Sequence, residues 1–310
     1  MIKARSLRVD YEEVTAVFDL DLEVAAGQVY GLIGPNGAGK TSTIRALAGV
    51  LEPTYGDIEL MGVDARRRPE EASRALGYMP DFAPLYTDLK VWEYLDVFGL
   101  AYLLSDRRRR ERVEACLAQV HLSEKRNELV RGLSRGMQQR LALAKTLIPE
   151  PRVLLLDEPA SGLDPIGRIE LREILAALAR DGAAVLVSSH ILSELSEYCT
   201  AVGIMERGRM VISGSIDSIL ARIGSRGTLR VRLVRPHAGL QETLAQCPCL
   251  AEVAVAADGL GAQARFAGGD AEAAQLLARL LSAGAEVSAF HVVREDIEDI
   301  FMRIGAREVS

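Results

Sequence analysis

Leu20, Leu22 and Val24 alternate with Asp19, Asp21 and Glu23, a period of two that predicts a strand with one wet face. The period then changes along the chain. "GQVYGLIG" reads as a buried strand running into a glycine-rich turn, "KTSTIRALAGVL" as the helix after it, and "GDIELMGVDA" as a further short strand with a turn. From Tyr86 to Leu147 the spacing is helical, with Val91, Tyr94, Leu95 and Phe98 at i, i+3, i+4 and i+7. Strands return with "RVLLLDE" and "AAVLVSS", whose unbroken apolar runs suit a parallel sheet covered on both faces. "AVGIMERGRMVISGS" predicts a hairpin turning at Arg207-Gly208.

A short Gly/Ser/Arg-rich stretch, Arg222 to Arg230, marks a boundary. Beyond it the order is strand, helix, strand, strand, helix, strand, the β-α-β-β-α-β arrangement of a ferredoxin-like fold. A last helix closes it, with Ile297, Ile300, Phe301 and Ile304 on one face. The expected organisation is a first domain over residues 1–222, with a helical part over about 82–150, and a small α+β domain over 228–310. The second domain shows no catalytic constellation and is read as a packing module.

Composition narrows the partners. A net charge of −6 and a pI near 5.5 argue against nucleic acid. The apolar run "YLDVFGLAYLL" is too short for a bilayer and contains Asp96, and the first residues lack a signal core, so a cytoplasmic chain is expected. Cys116, Cys199, Cys247 and Cys249 have no metal or disulfide spacing, and Cys247-Pro248-Cys249 is read as coincidence.

The chemistry sits at strand ends. "GPNGAGKT", Gly34 to Thr41, fits G-x-x-x-x-G-K-[ST] between a predicted strand and a predicted helix. Glycines let backbone N–H groups line an anion, and the helix N-terminus adds its positive dipole end. Lys40 reaches β and γ phosphates, and Thr41 offers a hydroxyl to Mg²⁺, a cation that asks for few protein ligands. Asp157 and Glu158 close the apolar strand "VLLLDEP", where open α/β sheets place their ligands. Asp157 suits Mg²⁺, and Glu158 suits the activation of an attacking water. His190 ends another apolar strand. A lone histidine there is more often structural, but beside a phosphate loop it is placed to donate to the γ phosphate.

"GPNGAGKT", "LSRGMQQR", "VLLLDEPASGLDP" and "VLVSSH", in that order, resemble the ATP-binding cassette (ABC) family of ATPases, over Met1 to about Leu220. The "LS-x-GM" form and the small C-terminal domain are similar to cassettes that power separate membrane subunits, often exporters. The resemblance implies an α/β P-loop NTPase cassette, a mixed sheet core with an antiparallel β part and a helical subdomain. It implies ATP and Mg²⁺ as ligands, with Gly34, Pro35, Asn36, Gly37, Ala38, Gly39, Lys40, Thr41 and Ser42 around the phosphates and Tyr11 stacked on adenine. It implies that Ser134 and Gly136 cap the γ phosphate held by a second cassette, a copy or a relative of this one, and that Asp164 meets the partner across the seam. A membrane permease is the further implied partner, which places the chain on the inner face of the membrane.

Two positions depart from the family pattern. Asp81 stands where a Gln usually reaches Mg²⁺ and the attacking water, so it is a candidate metal and catalytic residue that brings extra negative charge. Arg135 and Met137 replace Gly and Gln in the signature, with Arg135 either in solvent or on a phosphate. Phe82, Leu85, Tyr86 and Trp92 line a socket for the permease, or else form the core of the helical part, the reading favoured for Trp92. "SDRRRRERVEACL" is read as a solvated face, with attraction to anionic headgroups as the second reading. The alternatives are a soluble, non-transport cassette and a weakly active ATP-binding module. The single cassette, the absence of a heptad insertion and the acidic charge weigh against the first. Intact Lys40, Asp157, Glu158 and His190 weigh against the second.

Overall fold

The computed structural model describes residues 1–82, 84–191, 195, 198–216, 218–219 and 227–294. The chain divides into two compact units, Met1–Ile216 and Asp217–Ser310.

The first unit holds two sheets. The antiparallel one contains β1 (Ile2–Tyr11) and β2 (Val14–Val24), joined later by β4 (Tyr55–Leu60) and β5 (Val63–Asp64), in the order β2-β1-β4-β5. The alternation read along β2 is kept, with Leu20, Leu22 and Val24 buried and Asp19, Asp21 and Glu23 exposed. The larger sheet is built from β3 (Val29–Ile33), β6 (Leu76–Met79), β7 (Val153–Leu156), β8 (Ala184–Ser189), β9 (Ala201–Glu206) and β10 (Arg209–Ser215), in the order β10-β9-β3-β8-β7-β6. Its inner strands pair in parallel, and β10 alone runs antiparallel at the edge. Every residue of β3, β7 and β8 is buried, as unbroken apolar runs require when both faces are covered. Arg207 and Gly208 take φ of 46° and 79°, the left-handed pair that turns the β9–β10 hairpin.

Among the described residues, six α-helices of this unit fill the connections: α1 (Lys40–Leu47), α2 (Pro69–Arg74), α3 (Val91–Ala101), α4 (Asp106–Gln119), α5 (Arg135–Leu147) and α6 (Pro165–Arg180). Between β6 and β7, α3, α4 and α5 pack together, with Val91, Tyr94 and Leu95 buried as their spacing predicts. Two readings change here. Trp92 is only half-buried, with the Arg126 guanidinium 5.2 Å over its ring, so it flanks the helical core. The arginine run is not simply solvated. Arg112 is buried and donates through Nε to the Ile148 carbonyl at 3.2 Å and through Nη2 to the Leu147 carbonyl at 2.7 Å, closing the C-terminus of α5. Arg109 pairs with Asp96 at 2.6 Å, tying α4 to α3. A helix start rich in arginine therefore staples the helical part, because long side chains bury their stems while their heads find carbonyls and carboxylates.

The second unit runs β11 (Gly227–Leu233), α7 (Leu240–Ala245), β12 (Leu250–Val255), β13 (Gly261–Phe266), α8 (Asp270–Ser282) and β14 (Val287–Arg294). Its antiparallel sheet has the order β12-β13-β11-β14, the ferredoxin-like arrangement. Leu229, Val231, Leu233 and Phe266 meet Leu240, Leu244, Leu276 and Leu280 from the helices in one core. The proposed closing-helix face of Ile297, Ile300, Phe301 and Ile304 lies outside the described residues. All four cysteines are free thiols, with the Cys247 and Cys249 sulfurs 2.6 Å apart. Among the described residues no helix is long and apolar enough to cross a membrane.

Candidate nucleotide site

The loop from Gly34 to Gly39 joins β3 to α1 and can be closed by glycine alone at two points. A Cβ on Gly34 would stand 2.4 Å from the Met205 carbonyl oxygen. On Gly39, at φ 99°, it would stand 2.4 Å from the Ala16 carbonyl oxygen. Gly39 is the N-cap of α1, so the first N–H groups of that helix are left free to face an anion.

Lys40 is buried, and its Nζ donates to the carbonyls of Gly34 at 2.7 Å and Pro35 at 3.3 Å. Glu158 Oε1 lies 3.6 Å away. A buried ammonium needs such partners, and these are oxygens that phosphate oxygens can replace. Glu158 follows β7 with φ 48°, a left-handed conformation that costs a non-glycine residue about 1–3 kcal/mol. Its N–H donates to Ser188 Oγ at 2.8 Å, and Ser188 Oγ donates to Asp157 Oδ1 at 2.6 Å. Ser188, buried at the end of β8, thus locks both acids, and the sequence reading passed over it. Its signal was the pair of hydroxyls, Ser188 and Ser189, that closes an otherwise aliphatic strand. On the other side, His190 Nδ1 meets Glu158 Oε2 at 2.9 Å.

These groups surround one cavity of about 420 Å³, lined by Ala16, Asn36, Gly37, Ala38, Gly39, Lys40, Thr41, Ser42, Asp81, Glu158, Ser161 and His190. Gly34 and Pro35 lie behind Lys40 and hold it, and Asp157 lies beneath, almost fully buried. Tyr11 stands half-exposed, its hydroxyl 3.3 Å from Ser42 Oγ. Partial desolvation, then the carboxylates of Asp157 and Glu158, push the Asp81 carboxyl above its usual range, while Arg135 and His190 pull it back. Thr41, Asp157 and Asp81 offer hard oxygen donors. Among the described residues no three His, Cys, Asp or Glu converge into a metal cage. That set fits a magnesium ion that takes its other ligands from phosphate and water.

The signature turn is elsewhere. Ser134 is exposed and caps α5, its Oγ accepting from the Met137 N–H at 3.3 Å. Neither Ser134 nor Gly136 lines the cavity of its own chain. Arg135 lies against Gly162, where a Cβ would stand 2.5 Å from its Cζ, so it joins the signature turn to the loop after Glu158. Asp164 in that loop caps α6, its Oδ1 accepting from the Gly167 N–H at 2.8 Å.

Residues 17–161 match the family model for ABC transporters. The Nod factor export ATP-binding protein I of Cupriavidus pinatubonensis is 38% identical over 225 residues, covering 72% of this chain and 69% of that protein. The daunorubicin resistance ATP-binding protein DrrA3 of Streptomyces coeruleorubidus is 37% identical over 229 residues, covering 74% and 72%. A solved ATP-binding subunit of an ABC transporter superposes with a TM-score of 0.65 at 31% identity, covering 72% of this chain and 93% of that one. Matches to curated relatives span between 38% and 73% of the relatives' length. The chain belongs to the ABC transporter ATPases, a nucleotide-binding family.

Proposed function

We propose that the chain is the ATP-hydrolysing subunit of an ABC exporter, working as a head-to-tail pair of cassettes bound to a separate membrane permease. One observation carries the reading: each chain holds a complete phosphate cradle, while its own anion-suited signature turn stands exposed outside that cavity. A second cassette supplies the missing cap. Ser134 and Gly136 of each chain then close over the γ phosphate held by the other, and ATP becomes part of the interface.

Within one site the residues divide the work. The loop N–H groups and Lys40 hold the phosphates, and Lys40 exchanges the Gly34 and Pro35 carbonyls for phosphate oxygens. Tyr11 stacks on the adenine. Glu158, pinned through Ser188 and paired with His190, orients the water and takes its proton. His190 donates toward the γ phosphate. Thr41, Asp157 and Asp81 would hold Mg²⁺, which when bound neutralises charge on the phosphate oxygens. Loss of the γ phosphate removes the bridge between the halves, an order-and-release switch.

The exposed Phe82 and Tyr86, beside the site at Asp81, support permease docking at this edge, as do Leu100 and Leu103 on and after α3. The names of the two relatives support outward transport. Docking would hold the chain on the inner face of the membrane.

Sedimentation tests the pairing. The chain is expected to be monomeric with ADP and dimeric with magnesium and a slowly hydrolysed ATP analogue. A monomer under saturating analogue would overturn the reading. Asp81 gives a second expected result. Asp81→Gln removes a negative charge beside the phosphates, and a screened charge pair at contact is worth about 1 kcal/mol, or ~5-fold. Calorimetry should therefore show tighter binding of the analogue by that factor. Weaker binding would mean that the carboxylate is needed to hold the metal.

A further inference from the structure

The second unit has a sheet face that the nucleotide reaction leaves unused. Alternation along β11 sends Leu229, Val231 and Leu233 into the core with the helices, and Thr228, Arg230 and Arg232 to the opposite side. In register, Arg230 stands between Gln263 of β13 and His291 of β14. Arg232 stands between Gly261 and Ala289. Residues opposite one another on paired strands have Cβ atoms about 4.5–5.5 Å apart, so the two guanidinium groups, the imidazole and the amide share one small area. The small side chains at Gly261, Ala289 and Ala254 keep the floor low, and the result is a concavity of about 690 Å³.

Its positive charge is only partly offset. Arg265 pairs with Glu252 at 2.8 Å and Arg235 with Glu286 at 3.1 Å. Among the described residues Arg230 and Arg232 have no acidic partner, and both are exposed. Asp258 also lines the concavity, its carboxylate accepting the Leu260 N–H at 2.9 Å within its own turn, so one negative charge stands against two positive ones and the lining stays net positive. On a chain of net charge −6, two unpaired guanidinium groups side by side are a local reversal of the field.

We propose that this concavity binds a small, soluble, phosphate-bearing anion, separate from the nucleotide cradle of the first unit. Residues i and i+2 of a strand are about 7 Å apart, so both arginine forks reach a single tetrahedral group from its two sides. Guanidinium forks match phosphate oxygens bidentately, and His291 and Gln263 add donors from the neighbouring strands. A concave floor and, among the described residues, two free cations suit a discrete ligand better than a membrane surface, which calls for a cluster of about 4–8 basic residues.

The test uses the full chain with isotope-labelled histidines. Its four imidazoles are His121, His190, His237 and His291. The His291 signal, assigned with His291→Gln, is followed while inorganic phosphate is added. It is expected to move saturably, and Arg230→Gln with Arg232→Gln should raise the apparent Kd at least tenfold. The paired Arg→Lys variant should fall between, because it keeps charge but loses the fork. His237, which hydrogen-bonds the Ala283 carbonyl at 2.9 Å, reports that the unit stays folded in each variant. His190 reports phosphate in the other cradle. Four outcomes would overturn the proposal. His291 does not respond, or it responds equally in the double Gln variant. It responds only to phosphatidylglycerol vesicles, which would assign the face to lipid. Or it responds only once Glu295, Asp296, Glu298 and Asp299 are neutralised together, which would show that the chain's own tail occupies the face.

Discussion

Replacing Glu158 by Gln will cut turnover by about 10²–10⁴-fold, the usual share of a positioned general base, while ATP binding stays near the parent value. The amide keeps the shape and the reach to His190, which already lies 2.9 Å from Glu158 Oε2. What is lost is the ability to take a proton from water. The backbone of the residue is held independently of its side chain, by the N–H bond to Ser188 Oγ at 2.8 Å, so the unusual φ of 48° should survive the change. Because the γ phosphate is then rarely removed, the variant should accumulate as an ATP-bound dimer that elutes early in gel filtration. Single-turnover assays separate the effects: a slow chemical step with normal binding identifies the base. Parent-like hydrolysis would remove Glu158 from that role. Weak binding without dimers would point instead to its ion pair with Lys40 at 3.6 Å as the feature that matters.

Much of this site was legible because its parts obey strong local rules. A phosphate loop needs glycine where no Cβ fits, and Gly34 and Gly39 meet carbonyl oxygens at 2.4 Å. Aliphatic runs announce strands buried on both faces, and their ends locate Asp157, Glu158 and His190. The β-α-β-β-α-β order was legible for the same reason, since its strands alternate and its turns are polar or glycine-rich. The remainder depends on pairs distant in sequence. Nothing local marks Ser188 as the link between two acids 30 and 31 residues away. Nothing local says that Arg112 will find the end of α5, 35 residues on, and so a charge run reads as a wet face. Trp92 falls between these cases. Its spacing fits the helix, but its position just off the buried face leaves it beneath Arg126. The basic concavity of the second unit was missed because its meaning lies in register, in which small residues flank Arg232 on both neighbouring strands.

Two crippled chains should rescue each other. Lys40→Ala destroys the cradle but leaves the signature turn of its chain intact. Ser134→Glu leaves the cradle intact but sets a carboxylate against the γ phosphate that the turn should cap. Each alone is expected to lose at least ~10²-fold in turnover, the scale of one transition-state donor removed. Mixed in equal amounts, half of the dimers are hybrids. In each hybrid one site has both defects, and the other joins a normal Lys40 to a normal Ser134. If sites act singly, recovery approaches about a quarter of the parent rate, since half the dimers carry one good site of two. If they act only in concert, differently tagged chains should still co-purify with magnesium and a slowly hydrolysed ATP analogue in the mixture, and in neither chain alone. The exposed setting of Ser134 makes the folding of the Ser134→Glu variant undemanding, because its cap bond to the Met137 N–H at 3.3 Å can be replaced by a glutamate carboxylate. Full activity from the Ser134→Glu chain by itself would show that the turn serves no phosphate, in its own chain or in another.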